Sequence, residues 1–384
     1  MKNYEVVIIG CGASGVMAAL KTKQKSVAVI DAFSKPAKKL LVTGNGRCNL
    51  TNKNIDKTFY NANLKTYFER VSQFETLKFF NSLGLETFFD EEGRGYPISN
   101  SAKSVVDVLS ASLNKKADLF LENKVEDVEV VSGGFVVKTD KEVFNCKKLV
   151  IATGGNSLNA ILNKLNLKYK SYTPSLVALK SKDVKDLNGI KVSDVLVTAS
   201  NKTETKSEKG EVLFKDGGLS GIVIFNLSTI FARNSNFDGT IKIDLLPNIT
   251  ESELAKKLED RKSLNVNLDK FFVGFFQNAL ANEIFKQTKI NTNINSLNLT
   301  KEQLLKLTKT IKNLTFKIDG CFDNNQVYSG GISLNDLDEN LMSKQIKNLY
   351  FAGEICDVDG ACGGYNLQWA WTSGQIVGES LWLS

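Results

Sequence analysis

The 384-residue chain contains no histidine. This absence excludes a Ser-His-Asp triad, a histidine-ligated metal centre and an imidazole acid or base. The six cysteines form no C-x-x-C pair, so the chain carries neither a zinc ribbon nor a thioredoxin-type dithiol. We therefore expect reduced thiols and no metal site, and any proton transfer must use carboxylates, Lys, Tyr, Cys or a bound cofactor.

Long apolar runs are also missing. No stretch is long enough to span a bilayer, and residues 1–5 lack the charged start and apolar run of a signal peptide. The formal net charge of +7 comes from lysines scattered along the chain, whereas a nucleic-acid-binding surface concentrates them on one element. These features predict a cytoplasmic protein with no membrane partner, and nucleic acid is not the expected partner.

The chain does contain a glycine-rich turn near its start. An apolar strand leads into G-x-G-x-x-G, formed by Gly10, Gly12 and Gly15, with a helix expected from about Ala13. Gly10 permits a tight turn, Gly12 lets the backbone approach a pyrophosphate, and Gly15 allows close packing of helix and strand. The next strand ends at Asp31, which is suited to a ribose. The pattern therefore predicts a dinucleotide cofactor.

The middle of the chain contains two segments with different predicted secondary structure. Residues 117–152 predict a β-meander and a return strand into a parallel sheet, followed by glycines at Thr153-Gly154-Gly155 that again permit close approach to a ligand. From about residue 190 the pattern is β-rich, with a strand expected at residues 222–227, and predicts a separate β domain.

Helix signals follow in the next segment. Thr250 with Glu253, and Thr300 with Gln303, form capping boxes that predict two helices. Between them lies a phenylalanine-rich run at residues 271–276, which favours a small helical bundle with an aromatic core.

The last sixty or so residues return to α/β texture. Residues 349–354 predict a strand ending in an acid, and residues 366–381 predict a helix opened by Gly363 and Gly364. A helix N-terminus preceded by glycines is a second site suited to an anion. Both chain ends are therefore expected to build one cofactor domain.

Five longer motifs resemble those of a known family. They are residues 39–52 (KLLVTGNGRCNLTN), 92–97 (EGRGYP), 174–177 (PSLV), 350–360 (YFAGEICDVDG) and 363–371 (GGYNLQWAW). Over essentially its whole length the chain resembles the bacterial FAD-dependent oxidoreductases labelled aminoacetone-oxidase-like or bile-acid-reductase-like.

The resemblance implies an α/β fold, with a Rossmann-like FAD-binding domain of the glutathione-reductase or fumarate-reductase type and an inserted β-barrel and small helical bundle. The expected domains are residues 1–189 with 323–384 for FAD, residues 190–249 with 313–322 for the barrel, and residues 250–312 for the bundle.

The resemblance also implies where FAD binds. Residues 44–49 would wrap the flavin side, Val125 would offer backbone to the adenine, and Glu354 or Asp359 would meet the ribityl or pyrophosphate region. Asn366 and Leu367 would place helix N–H groups near flavin O2 and N1. With the glycine-rich turns, the expected cofactor-binding residues are Gly10, Gly12, Ala13, Ser14, Gly15, Asp31, Lys39, Leu40, Gly44, Asn45, Gly46, Arg47, Cys48, Asn49, Val125, Thr153, Gly154, Gly353, Glu354, Asp359, Asn366 and Leu367.

Two features depart from the family pattern. The segment Thr153-Gly154-Gly155-Asn156-Ser157 is not followed by the family's glycine-rich loop with an aspartate, so a wall of the substrate pocket is expected to be missing or rebuilt. Cys11 and Ser14 also stand where a small residue and a proline or glycine are commoner.

Four side chains have both a functional and a structural interpretation. Arg47 and Arg94 either bind an anionic substrate or tune the flavin, or they tie loops together. Tyr96 either donates a proton or packs. Cys48 is either a redox thiol or an inert small hydrophobe. We take Arg94 and Tyr96 as the candidate catalytic residues.

The expected function is an FAD-dependent oxidoreductase that moves a hydride between flavin N5 and a small organic substrate. Because no second G-x-G-x-x-G occurs, NAD(P)H would act as a transient donor at the substrate face, or oxygen would accept electrons. Two alternatives stay open. One is a tRNA-directed flavoenzyme, suggested by the basic pI, and the other is an FAD-binding sensor or scaffold without turnover, suggested by the altered segment after Gly155.

Overall fold

The computed structural model describes residues 1–155, 157–233, 235–323 and 327–382, so Asn156 in the altered segment lies outside the described residues. The strands in chain order are β1 (Lys2–Ile9), β2 (Val27–Ile30), β3 (Thr51–Asn52), β4 (Thr87–Phe89), β5 (Arg94–Pro97), β6 (Asp118–Phe120), β7 (Val125–Val131), β8 (Gly134–Thr139), β9 (Val143–Ile151), β10 (Lys170–Ser175), β11 (Leu179–Lys180), β12 (Lys191–Asn201), β13 (Thr205–Lys215), β14 (Gly218–Ser220), β15 (Gly239–Asp244), β16 (Leu314–Ile318), β17 (Gly320–Cys321), β18 (Val327–Gly331) and β19 (Leu349–Phe351). The α-helices are α1 (Ala13–Lys21), α2 (Lys65–Arg70), α3 (Gln73–Ser82), α4 (Ala102–Leu113), α5 (Asn159–Lys164), α6 (Ile222–Ala232), α7 (Glu251–Lys262), α8 (Asn278–Thr288), α9 (Lys301–Lys312) and α10 (Tyr365–Ser380).

Internal contacts divide the chain into two units. The first comprises Met1–Tyr172 and Val327–Ser384, and the second comprises Thr173–Gln326. Residues 173–189 were expected in the cofactor domain, but here they belong to the second unit because β11 pairs with β14 and β17. The expected barrel and bundle share one apolar core, so they fall in a single unit.

The main sheet of the first unit has the order β6-β2-β1-β9-β8-β7, with β19 also paired to β9. Strands β6, β2, β1, β9 and β19 are parallel, whereas β7, β8 and β9 form an antiparallel meander. The predicted return strand and the last strand of the meander are therefore one strand, β9. All four residues of β2 are buried, as expected for a parallel strand covered on both faces.

Helices α1 and α10 pack together through small residues. A Cβ added at Gly374 would lie 2.4 Å from the carbonyl oxygen of Ser14, and one at Gly378 would lie 2.6 Å from that of Ala18. From the first contact to the second, both helices advance by four residues in the same direction, so the two helices run parallel. Helix α10 starts nine residues before Gly374, whereas α1 starts one residue before Ser14, so the N-terminus of α10 lies about 12 Å beyond that of α1 along the axis.

The sheet of the second unit has the order β16-β15-β12-β13-β14-β11-β17. Its neighbouring strands are antiparallel. The strands at its two ends, β16 and β17, are separated along the chain by Asp319 alone, which brings the two edges of the sheet together as in a barrel. This matches the expected inserted β-barrel.

One predicted strand is wrong. Residues 222–227 form the first half of α6, which begins after Gly221 in a left-handed conformation with φ of +109°. The sequence there is apolar with no polar period, and such a run does not distinguish a buried strand from a buried helix. In the structure the helix is buried nearly all round, and Val223 packs next to Gly210 of β13.

Both predicted capping boxes are present. The Thr250 side chain accepts a hydrogen bond from the Glu253 N–H at 3.2 Å, and the Glu253 carboxylate accepts one from the Thr250 N–H at 2.9 Å. Thr300 and Gln303 repeat this arrangement at the start of α9. The rings of Phe271 and Phe272 are buried, which agrees with an aromatic core. Among the described residues, no α-helix combines the length and apolarity needed to cross a bilayer.

Candidate functional site

The carboxyl ends of parallel strands bring the expected cofactor residues to one edge of the first unit's sheet. Strand β1 leads directly into Gly10, β2 into Asp31, and β9 and β19 into the turns that contain Thr153 and Gly353. Ligands of open α/β sheets bind outside this edge. Segments from both ends of the chain therefore meet where a dinucleotide is expected.

The three glycines of the first turn have different reasons to be glycine. Gly10 has φ of +105°, and a Cβ there would lie 2.4 Å from the Ala152 oxygen. A Cβ at Gly15 would lie 1.9 Å from the Gly10 oxygen, whereas one at Gly12 would meet no atom within 4 Å. Gly10 and Gly15 are required by the chain's own packing. Gly12 instead leaves open space at the N-terminus of α1, where N–H groups without helical partners suit a pyrophosphate.

Asp31 closes this turn from the neighbouring strand. Its carboxylate accepts hydrogen bonds from the N–H groups of Cys11 at 2.6 Å and Phe33 at 2.7 Å, and retains lone pairs for a ribose hydroxyl. The N–H of Asn123 donates to the Asp31 carbonyl at 2.9 Å. This bond places the start of β7, with Val125, next to Asp31, on the side expected for the adenine.

The side chains of two expected cofactor-binding residues form hydrogen bonds to other segments of the protein. The Ser14 hydroxyl donates to the Ala352 oxygen at 3.1 Å and so ties α1 to the end of β19. The Glu354 carboxylate accepts hydrogen bonds from the N–H groups of Gly155 at 3.1 Å and Tyr328 at 2.6 Å. The donor of the Ser14 hydroxyl is therefore used within the protein, and Glu354 holds two turns in place.

Lys39 and Leu40 occupy different environments. A Cβ added at Gly154 would lie 3.1 Å from a Glu354 oxygen and 3.6 Å from the Lys39 ammonium, so the Lys39 side chain reaches the turn that Glu354 holds. Leu40 is buried in the apolar core of the first unit.

Residues 44–49, the segment expected to wrap the flavin, fold back through residues in the left-handed conformation. Gly44 and Asn45 both have φ of +55°, Gly46 has +81°, and Cys48 has +61°. The Cys48 N–H donates to the Thr43 oxygen at 3.0 Å. Cys48 is fully buried, and burial raises the pKa of its thiol to about 12. The thiol is therefore protonated at neutral pH, which favours the inert interpretation.

Two buried polar atoms in the expected set lack partners within the chain. Asn49 Oδ1 and Thr153 Oγ1 have no hydrogen-bond partner among the described residues. Buried polar atoms are nearly always paired, so these two suit a bound group that carries hydroxyls or ring N–H donors. With the open space at Gly12, they show that the residues present fit FAD.

The N-terminus of α10 is prepared by a tight turn. Gly364 has φ of +96°, and a Cβ there would lie 2.4 Å from the Thr51 oxygen. The Asn366 side chain accepts from the Gly360 N–H and donates to the Gly360 oxygen, both at 2.8 Å. Asn366 thus holds the turn with its side chain, while the backbone N–H of Leu367 lies in the first turn of the helix, where N–H groups have no partner within the helix.

Asp359 lies just before this turn. It is fully buried, and its N–H donates to Asn61 Oδ1 at 2.9 Å.

Sequence reasoning missed Gln368. Its side chain is fully buried, accepts from the Thr51 hydroxyl at 2.6 Å, and donates to Thr76 at 3.0 Å and Thr372 at 2.9 Å. Gln368, on α10, therefore links Thr51 of β3 to Thr76 of α3. An amide within an otherwise apolar motif, between Leu367 and two tryptophans, is the signal that would have found it.

The candidate catalytic residues Arg94 and Tyr96 lie on β5. Arg94 pairs with Asp90 at 2.8 Å and with Glu92 at 2.7 Å, so its guanidinium ties the turn before the strand. Tyr96 is buried, and burial raises the pKa of its hydroxyl. That hydroxyl accepts a hydrogen bond from Arg47 Nη2 at 3.3 Å, and the Arg47 guanidinium lies 4.4 Å from the centre of the Tyr96 ring.

Comparison with known proteins identifies the family of the chain. The chain matches the family model described as HI0933-like protein Rossmann domain over residues 4–380. It is 31% identical to the 3-dehydro-bile acid delta(4,6)-reductase of Clostridium scindens, covering 97% of this chain and 98% of that protein. It is 27% identical to the ribosomal RNA dihydrouridine synthase of Escherichia coli, covering 99% and 98%. Among solved structures, E. coli quinol fumarate reductase FrdA is 13% identical with a TM-score of 0.47, covering 99% of this chain and 70% of that one. The chain belongs to the HI0933-like Rossmann family, and it is an FAD-dependent oxidoreductase.

Proposed function

We propose that the protein reduces a carbon–carbon double bond conjugated to a carbonyl in a small organic substrate, with NAD(P)H as the electron donor. The observation that carries this proposal is the chemistry in the names of two relatives matched from end to end. One name describes reduction of Δ4,6 double bonds in a 3-dehydro bile acid. The other describes dihydrouridine, which is uridine with the ring double bond beside its carbonyl saturated.

The arrangement of the first unit supports this chemistry. Bound FAD supplies the hydride transfer, and the protein supplies position and electrostatics. The open space at Gly12 suits the pyrophosphate, and Asp31 suits the ribose. The first-turn N–H groups of α10 are suited to stabilising negative charge on a reduced flavin ring.

The test is an anaerobic two-step reaction. The FAD-loaded protein is mixed with NADH or NADPH and flavin bleaching is followed; the reduced protein is then mixed with 2-cyclohexen-1-one, and with cyclohexanone as the matched saturated control. We expect bleaching by at least one nicotinamide, reoxidation by the enone alone, and a product carrying two additional hydrogens. A flavin that stays oxidised with both nicotinamides removes NAD(P)H as donor, and reoxidation by oxygen but not by the enone indicates an oxidase.

A second candidate function is reduction of uridine in RNA. It is favoured by two relatives named ribosomal RNA dihydrouridine synthase, of which the chain covers 98% and 99%. Incubation of unmodified ribosomal RNA with the reduced protein, followed by nucleoside mass spectrometry, tests it. Dihydrouridine formation together with binding that weakens steeply with salt supports this candidate, and uridine left intact removes it.

A further inference from the structure

We infer that Arg47 is the residue that binds the carbonyl oxygen of the substrate, and that Tyr96 positions it. This inference rests on the proposed function. Arg47 and Arg94 both lie near Tyr96.

Arg94 and Arg47 differ in what they already bind. Arg94 is held by two carboxylates, those of Asp90 and Glu92. Arg47 has no carboxylate within 4.0 Å among the residues that the structure describes, and its side chain donates to the Tyr96 hydroxyl. A guanidinium has five N–H donors, so Arg47 retains donors for an oxyanion whereas those of Arg94 serve its ion pairs.

The Tyr96 side chain holds the guanidinium of Arg47 in one place. The buried Tyr96 ring lies under the guanidinium at 4.4 Å, a cation–π arrangement that fixes its plane. The preceding residue, Gly46, is exposed, and a Cβ there would meet no atom within 4 Å. Two residues further along, Asn49 Oδ1 is buried without a partner among the described residues, which indicates that a ligand completes this loop.

The chemistry needs a donor at this kind of position. Addition of a hydride to the β-carbon of a conjugated carbonyl would shift the electron pair of the double bond and give an enolate, with negative charge on oxygen. Two N–H groups of Arg47 stabilise that charge more strongly than they stabilise the neutral carbonyl. Water then protonates the α-carbon and the carbonyl is restored, so the substrate gains one hydride and one proton.

This assigns Tyr96 a positioning role instead of proton donation. Its side chain is 2% exposed, its ring lies 4.4 Å from the Arg47 guanidinium, and its hydroxyl accepts a hydrogen bond from Arg47, so it contacts Arg47 through both ring and hydroxyl. Tyr96→Phe removes that one bond and keeps the ring. In the enone reaction we expect KM to rise several-fold and kcat to fall by less than about threefold, whereas a loss of general acid catalysis lowers kcat by about a hundredfold or more. The larger fall in kcat would overturn the positioning role.

Binding of benzoate tests Arg47 without turnover, because a carboxylate oxygen is a stable mimic of an enolate oxygen. Benzoate is titrated into oxidised FAD-loaded protein and the flavin absorbance is followed. We expect a saturable shift that Arg47→Ala weakens at least about tenfold, that Arg47→Lys weakens less, and that the exposed control Arg70→Gln leaves unchanged. Equal benzoate affinity in wild type and Arg47→Ala, or no saturable shift in wild type, overturns the inference.

Benzoate binding and enone reduction, measured on the same proteins, separate this inference from the proposed function. If wild type binds benzoate through Arg47 but reduces no enone, the oxyanion site is supported and the proposed reaction is wrong. If wild type reduces the enone and Arg47→Ala does so with unchanged KM and kcat, the reaction stands and the role of Arg47 falls.

Discussion

Gly374 of α10 packs directly on the backbone of Ser14 in α1, and a Cβ at Gly374 would lie 2.4 Å from the Ser14 carbonyl oxygen. Gly374→Ala should therefore push apart the two helices whose N-termini face the cofactor. We expect about 1–3 kcal/mol lower free energy of unfolding in urea and weaker FAD retention. Glu379→Ala, at an exposed position of the same helix, should stay within about 0.5 kcal/mol. Equal stability of both variants would contradict the close packing.

In the glycine-rich turn, Gly10 is needed for folding, whereas Gly12 is expected to matter for cofactor binding. Gly12→Ala meets open space and an allowed backbone with φ of −80°, so the apoprotein should keep its melting temperature and lose FAD affinity. Gly10→Ala forces φ of +105° and a clash with Ala152, so the apoprotein itself should be destabilised by more than about 1 kcal/mol. Thermal melts of both apoproteins, with flavin content per chain, check this. Loss of apoprotein stability in Gly12→Ala would show that the space is not free.

The Arg94–Asp90 pair should make stability depend on pH in acid. Partial burial opposes ionisation of Asp90, but hydrogen bonds and charge from Arg94 prevail and lower the pKa of the carboxyl below its ordinary 3.8. A carboxyl with a lowered pKa contributes stability above its unfolded value and loses it as the pH falls through the folded value. Wild type should therefore lose this stability below about pH 4, at no more than about 1.4 kcal/mol per pH unit for one proton.

Arg94→Gln is the comparison for that pH dependence. It should be less stable than wild type at pH 7, by about 1–3 kcal/mol, and the difference should shrink as the pH falls below about 4. Urea unfolding at pH 7, 5, 4 and 3 measures both proteins. A difference that stays constant across this series would show that Arg94 contributes by packing and not by charge.

Cys48 should be unreactive in the native protein. Its side chain is fully buried and burial raises the pKa of the thiol to about 12, so little thiolate exists at pH 8. Iodoacetamide should label the partly exposed Cys321 and Cys362 first, and Cys48 only after unfolding. Peptide mapping after timed labelling measures the order, and early labelling of Cys48 would restore the redox interpretation.

Local signals in the sequence located much of the cofactor edge. The turn from Gly10 to Gly15, the acid at the end of β2 and the helix after Gly363-Gly364 were all predicted, and the structure places them as expected. Each depends on neighbouring residues alone: glycine tolerates the conformation, and a strand or helix follows within a few positions. The capping boxes of α7 and α9 succeeded for the same reason.

Other features depended on residues far away in sequence. The segment at 222–227 became helix because it is buried against the barrel strands, a context that a short apolar run does not reveal. The boundary near residue 189 moved because Leu179 pairs with strands that come later in the chain. Gly374 and Gly378 gave no signal of their own, because their role is defined by the helix that packs against them.

The sequence by itself determined the cofactor turn, the parallel strands around it and the family, because these are written in contiguous motifs whose backbone requirements are local. The tertiary structure alone decided what each polar side chain does. It pairs Arg94 with carboxylates, leaves Arg47 with donors to spare on the Tyr96 ring, and buries Cys48. Burial and charge pairing depend on which segments meet across the fold, and they set whether a guanidinium or a thiol is structural or available for chemistry.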